Sequence, residues 1–385
     1  MDLSLTEEQA MIQDMAKKFA VSELEPVAAQ LDETYNETLF LSNIQKLSEL
    51  GFMGLNVKAE YGGVEAGAVS FSLAITELAK ACASTAVTTS VTNMVADVIQ
   101  AVGNEEQKQN YLPKLCSGEY RAGGFCLTET MAGSDPAGMK TTAVKSNEHY
   151  VLNGTKVYIT SASFADLFVV WAVTDLDAKK GKGISCFLVE ANTLGITISK
   201  REDKMGQKAS PTNQVIFENC RIPASALMGK ENQGFSIAVG ELAGGRIGIG
   251  SLALGIGLAA MDYARAYIVE RKQFEQSLSN FQGLQWKLAD RYTDLEAARL
   301  LIMQAADNKD KGLPFSTSAS MAKYFATEKA NTACYDALQI MGGAGYIKEY
   351  PLERYARDVR VTSIYEGTSE IQKVIISRAL LRQVE

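Results

Sequence analysis

Histidine is nearly missing from this 385-residue chain, which carries one, His149. A hydrolytic triad built elsewhere on imidazole, and any two-histidine metal site, are therefore excluded. His149 itself lies in "SNEHYVLNGTK", beside an Asn153-Gly154 pair that reads as a hairpin turn, so it is expected at a solvated strand end. Cysteine is sparse and scattered: Cys82, Cys116, Cys126, Cys186, Cys220 and Cys334 include no Cys-x-x-Cys pair. In a chain of this length that pattern implies reduced, buried thiols, not a disulfide frame or zinc site. Positive charge is also short, with 38 Lys and Arg against 45 Asp and Glu. Without a basic stripe to neutralise phosphates, nucleic acid is excluded as a partner. Long apolar runs are absent too. The longest uncharged one, residues 247–261, is too short to span a bilayer and is rich in glycine, so no membrane span is expected.

What is present looks globular. The chain is 46% hydrophobic and 22% charged, and its length suits two or three domains. The opening "MDLSLTEEQAMIQDMAKKF" has no basic leader or cleavage pattern, and Thr6 with Gln9 forms a capping box that starts an amphipathic helix. A cytoplasmic bacterial protein is expected, with a processed organellar matrix protein as the alternative. Residues 1–120 read as helices interrupted by the loop "AEYGGVEAG". Residues 121–230 hold short β-branched and aromatic runs, "HYVLNGTKVYIT", "DLFVVWAVTD", "GISCFLVEA" and "NQVIFENCRIP", the mark of a small β-domain. From 231 to 385 the helical period returns. Leu284, Leu288, Leu295, Ala298 and Ile302 share one face, as do Ala322, Ala326, Ala333, Ala337 and Ile340. The fold class is α+β, mostly α.

Several short stretches invite a chemical reading. In "SIYEGTSEIQ", Glu366 stands between Ile364-Tyr365 and a Gly367-Thr368-Ser369 break. Thr368 or Ser369 would cap a helix, and a carboxylate suits that position. The same carboxylate, desolvated by bulky neighbours, would also gain basicity. "GGRIGIGSLALGIGLAA" contains no Gly-x-Gly-x-x-Gly, and its glycines read as close-approach positions on a helix. Arg246 within it demands an anionic partner. "QIMGGAGY" looks like a helix C-cap with left-handed glycines. "RAGGFCLTETMAGSDPAGM" gathers hydroxyls and amides at the entry to the β-domain, and "ERKQFEQSLSNFQGLQ" offers Arg271 and Gln282 to an anionic ligand.

Taken in order, "FCLTETMAGSD", "YIT", "KMG", "GGRIG", "ERKQF", "QIMGGAGY" and "IYEGTSEIQ" resemble the acyl-CoA dehydrogenase family across essentially the whole chain. The resemblance implies an N-terminal α-helical domain, a central β-domain and a C-terminal four-helix bundle. It also implies a homotetramer, a dimer of dimers, with one FAD per subunit. The implied reaction is α,β-dehydrogenation of an acyl-CoA thioester to the trans-2-enoyl-CoA. Glu366 would take the α-proton, flavin N5 would accept the β-hydride, and an electron-transfer flavoprotein would be the electron acceptor. Some relatives place the base at the position of Gly245, which has no side chain to serve.

By the same matching, Phe125, Cys126, Leu127, Thr128 and Gly133 would contact the flavin, and Ser134 would touch both flavin and thioester. Tyr158, Ile159 and Thr160 would pack behind the ring. Arg271, Gln273, Phe281 and Gln282 would hold the pyrophosphate and adenosine side, with Gln339, Gly342 and Gly343 reaching in from a neighbouring subunit. Thr368 and Glu370 would complete the FAD site, and Arg246 and Gly367 would face the substrate. Two departures stand out: Thr130-Met131 where relatives carry Pro-Gly, and Ala243 where short- and medium-chain members carry Asp. A flavin oxidase or monooxygenase acting on a non-CoA substrate, and a scaffold without cofactor, are the rival readings.

Overall fold

A computed structural model describes residues 4–382. Six helices come first: α1 Glu7–Phe19, α2 Glu25–Glu33, α3 Glu37–Glu49, α4 Gly67–Ala81, α5 Ala83–Val102 and α6 Glu105–Ser117. The expected capping box opens α1, with Gln9 N donating to Thr6 Oγ1 at 3.2 Å and Thr6 N to Gln9 Oε1 at 3.0 Å. Between α1 and α2 lies one π-helical turn, Ala20–Leu24, just ahead of Pro26. Proline brings no amide for the preceding turn and its ring crowds the carbonyl four residues back, so the helix widens there. Helices α4 and α5 are buried on nearly every face.

Eight strands follow: β1 Gly123–Cys126, β2 Thr142–Ser146, β3 His149–Thr160, β4 Leu167–Val173, β5 Ile184–Glu190, β6 Ile196–Ile198, β7 Thr212–Pro223 and β8 Leu227–Met228. They form one sheet in the order β6-β7-β3-β2-β4-β5-β8, with β1 parallel to β4. Strands β4 and β5 are buried almost throughout, which is why they read as unbroken apolar runs. The Asn153-Gly154 pair does not turn a hairpin. It lies inside β3, where pairing with β7 slips between Leu152 and Gly154. The chain reverses earlier, at Asn147 with φ 55°, between β2 and β3. Gly154 is needed because φ is 148° and a side chain would strike Thr141; the pair lies opposite a bulge whose extra residue is on β7, beside Asn219 with φ 48°. His149 begins β3, its Nε2 2.9 Å from Arg221 Nη2.

The last part is helical: α7 Gly234–Glu270, a small hairpin of β9 Lys272–Gln273 and β10 Gln276–Ser277, then α8 Gln282–Asp310, α9 Ser316–Met341, α10 Gly343–Tyr346, α11 Leu352–Arg360 and α12 Ser369–Arg382. Helices α7, α8 and α9 pack on one another, α12 lies against α9, and α4 and α5 cover α7. Helix α7 is long and apolar enough to cross a membrane, but 78% of its most apolar window is buried inside the protein. The glycines of "GGRIGIGSLALGIGLAA" are contact points, as expected. A Cβ at Gly255 would collide with Thr76 O, and one at Gly257 would stand 2.9 Å from Leu295 Cδ2. Gly342 ends α9 with φ 60° and ψ −136°; this differs from the expected left-handed cap and is a conformation close to exclusive to glycine.

Candidate active site

The turn carrying Glu366 joins α11 to α12 and is unusual in its backbone. Glu366 has φ 52° and Gly367 φ 91°, two successive left-handed residues. Such a conformation costs a non-glycine residue about 1–2 kcal/mol, so the surroundings must enforce it. They do so through two buried side chains. Lys323 of α9 donates from Nζ to Gly367 O at 2.7 Å. Gln372 of α12 donates from Nε2 to Gly367 O at 2.9 Å and to Glu366 O at 3.3 Å. Gly367 is required by its φ and because a Cβ would stand 2.7 Å from Gln372 Nε2. Thr368 Oγ1 accepts from Ile371 N at 3.3 Å. The helix-capping role and the chemical role of this segment therefore coexist.

The turn aims Glu366 into the helical core. Oε2 is shielded from solvent and has no hydrogen-bond partner, although the residue as a whole keeps partial exposure. A Cβ built on Gly245 would stand 2.7 Å from Met94 Sδ and nearer still to Glu366 Oε2. Burial pushes the carboxyl up to about 7, against the pull of Lys323 and Arg246. The shielding does not come from both sequence neighbours, as the local reading supposes. Ile364 is 48% exposed. Desolvation comes instead from α5 and α7, brought close by the fold. Tyr365 does pack against the core, and its hydroxyl accepts from Gln207 Nε2 at 3.2 Å.

Arg246 is buried, as expected, but no direct anionic partner meets it. Nη1 lies 3.4 Å from Ser320 Oγ, Nε has no partner, and among the described residues no carboxylate comes within ion-pair distance. Its electrostatic counterpart is Glu366. Glu366 Oε2 and Arg246 Nε, one acidic and one basic, are thus both buried without a hydrogen-bond partner.

The 125–134 loop is fixed by a pair the sequence reading missed. Lys156, fully buried on β3, donates to Glu129 Oε1 at 2.8 Å and to Leu127 O at 3.1 Å. Glu129 also accepts from Lys140 N at 2.6 Å and Thr141 N at 3.0 Å. Burial raises the Glu129 carboxyl, but Lys156 and these amides overcome it and hold it below its ordinary value. Thr130-Met131 form the exposed tip of a tight turn closed between Glu129 and Ala132. Cys126, Leu127 and Ile159 are buried, Phe125, Thr128 and Thr160 half-buried, and Gly133, Ser134 and Tyr158 exposed. Val157 N donates to Thr128 O at 2.9 Å, so the 125–128 and 156–160 segments lie together.

Other expected contacts lie apart from these within one protomer. Arg271, Gln273, Gln282, Gln339, Gly342, Gly343 and Glu370 are exposed, and Phe281 is half-buried against Phe274, ring centroids 6.1 Å apart. Among the described residues neither the 271–282 hairpin nor the 339–343 turn hydrogen-bonds to the 125–134 loop. The donors they present (a guanidinium and three amides) together with the exposed hydroxyl of Ser134 match a cofactor with a pyrophosphate and an acceptor-rich ring. FAD fits that set. A surface groove lined by Met11, Met15, Phe19 and Leu50 among others contains none of these residues.

Gln207 is a further residue without a signal in local sequence. Its amide N donates to the Asp358 carboxylate and its Nε2 to Asp358 O at 3.0 Å. Arg357 reaches Asp32 at 2.6 Å, Glu353 at 2.7 Å and Met205 O at 3.0 Å. The Glu366 turn is thereby tied to all three parts of the chain.

Comparison with known proteins shows the family. The family descriptions for the acyl-CoA dehydrogenase N-terminal, middle and C-terminal domains match residues 6–119, 124–220 and 232–381. The chain is 45% identical to the short-chain specific acyl-CoA dehydrogenase of Clostridium acetobutylicum, over 99% of this chain and 100% of that one. A chain in the solved structure of the electron transferring flavoprotein of Acidaminococcus fermentans superposes with TM-score 0.96 at 44% identity, covering 99% of this chain and 100% of that one. Butyryl-CoA dehydrogenase from Megasphaera elsdenii superposes with TM-score 0.95 at 39% identity, again covering 99% and 100%. The chain belongs to the acyl-CoA dehydrogenase family and is an oxidoreductase acting on acyl-CoA thioesters.

Proposed function

We propose that this enzyme dehydrogenates short acyl-CoA thioesters with FAD as cofactor and Glu366 as the base. The observation that carries the reading is the Glu366 carboxylate itself: buried at Oε2, unpartnered, and raised to about 7 by desolvation. The α-proton of a thioester is weakly acidic, so its acceptor must be dry and already placed. The α C–H bond breaks toward Oε2 while the adjacent left-handed turn holds the carboxylate still. Arg246 and Lys323 supply the positive field that keeps Glu366 ionised before transfer. Acceptance of the β-hydrogen with its electron pair is the chemistry that bound FAD supplies. Leu127, Thr128, Gly133, Ser134, Tyr158 and Thr160 would hold its ring, and Arg271, Gln273, Phe281, Gln282, Gln339, Gly342, Gly343, Thr368 and Glu370 its nucleotide part.

A short acyl group is supported by the small space beside Gly245. That space, between Met94, Phe71 and Ile247, has room for little more than a methyl group or one water. It ends against the Lys309–Asp97 ion pair, 2.8 Å. A long alkyl tail would have to desolvate that pair, so a short acyl group fits best. The short-chain specificity named for the Clostridium relative agrees.

A homotetramer in which neighbouring subunits share the cofactor site is the proposed assembly; Phe274, Trp286 and Tyr346 are 86%, 64% and 79% exposed in the single chain. An electron-transfer flavoprotein is the proposed acceptor. A cytoplasmic location fits the bacterial relatives and the six free, buried cysteines. Anaerobic titration with a series of acyl-CoAs, followed by flavin bleaching, tests the whole reading. Short acyl-CoAs should bleach, and Glu366→Gln should keep FAD while slowing bleaching by about 10²–10⁴-fold. Wild-type rates in that variant would remove Glu366 from the mechanism.

A further inference from the structure

Lys323 is an expensive residue to keep. Its side chain is fully buried in α9, and among the described residues no carboxylate lies within ion-pair distance of Nζ. An apolar side chain of the same length would stabilise the fold better at this position. The ammonium's hydrogen-bond acceptor is Gly367 O, one residue beyond the base. The charged groups whose fields reach it are Glu366 from the base turn, Arg246 from α7, Glu328 from its own helix and Glu370 from α12. Glu370 is exposed and solvated, and Glu328 already accepts from Ser369 Oγ. Arg246 is repulsive. Glu366 is left as the buried anion that gains from this cation and offsets its desolvation.

We propose that Lys323 is a positioning residue for the base: through Gly367 O it locks the left-handed turn, and through its charge it keeps Glu366 ionised at neutral pH. The inference rests on Glu366 being the base. Burial lowers the Lys323 ammonium itself to about 8, so around neutral pH it is still mostly charged. Charge and hydrogen bond are separable. Glutamine at this position can keep a donor near Gly367 O without charge, and arginine keeps charge in a different shape.

The test follows two readouts of holoenzyme carrying Lys323→Gln or Lys323→Arg. One is the pH dependence of flavin bleaching by a short acyl-CoA. The other is the infrared carboxyl band of Glu366, assigned by its loss in Glu366→Gln. Lys323→Gln should move both midpoints upward by about one pH unit, leaving roughly fivefold less ionised base at pH 7, with the rate recovering at higher pH. Lys323→Arg should keep the wild-type midpoint. Midpoints unmoved in Lys323→Gln, whatever happens to the rate, would overturn the proposal, and Lys323→Met gives the same reading should the glutamine variant not fold. If Glu366→Gln itself still bleaches, the base assignment has failed. If Glu366→Gln is inactive while Lys323→Gln titrates like wild type, the role of Lys323 alone has failed.

Discussion

Gly245→Ala offers the sharpest probe of the site, because it adds one methyl group where the Glu366 carboxylate already stands. The new Cβ would meet Met94 Sδ at 2.7 Å and Glu366 Oε2 at a shorter distance still. Relaxed contacts need about 3.5 Å, so something must yield by about 1 Å. Met94 is an unbranched side chain at the end of three rotatable bonds and can step aside. The Glu366 backbone cannot, since Lys323 and Gln372 pin its turn from two helices. The carboxylate must therefore tip, and a misplacement of ~1 Å costs about 10²-fold in rate, equivalent to about 2.7 kcal/mol of barrier. Anaerobic stopped-flow mixing with a short acyl-CoA would report the first-order bleaching rate directly. FAD content and thermal midpoint should stay close to wild type. Gly240→Ala, on the same helix with no atom within 4 Å of the added methyl, is the matched control and should keep the wild-type rate. A Gly245→Ala enzyme that bleaches at the wild-type rate would show that the carboxylate does not work from this position.

Two further outcomes follow from buried charges. Glu366 has a folded-state pKa near 7, above its unfolded value, so native protein binds the proton more tightly and loses stability as pH rises through about 7. Urea denaturation of apoprotein should therefore find Glu366→Gln no more stable than wild type near pH 4, with an advantage that grows and levels off above pH 8; no growth would mean the carboxylate is solvated. Lys156→Met strands Glu129, paired at 2.8 Å in a buried site, and should cost about 3–5 kcal/mol in the same assay. A loss below ~1 kcal/mol would class the pair with weak surface ion pairs.

The helices, strands and motif order are legible because they depend on local pattern: the Thr6 capping box, the apolar strands β4 and β5, and the small residues of α7 each carry their reason within a few positions. The Asn153-Gly154 pair misleads because a strand stretch facing a bulge can use the same residues as a hairpin turn, and the choice is made by the pairing of β3 with β7. Glu366 was legible as a carboxylate between bulky neighbours, yet Ile364 does not shield it. Met94 and the bare surface of Gly245, far away in sequence, do so. Lys323 could have been found by the argument applied to Arg246, since "SASMAKYFA" sets a cation among small and apolar residues at a core position of α9. Lys156 has a comparable signal: it follows Tyr150, Leu152 and Gly154 at strand period, on the face those residues bury. Gln207 has none, because its partners Asp358 and Tyr365 lie on another element and glutamine is ordinary in a loop. What escapes the sequence is therefore not the proposed reacting group but its support. A reacting residue is constrained by its chemistry, whereas a supporting one is constrained by where folding places its partner.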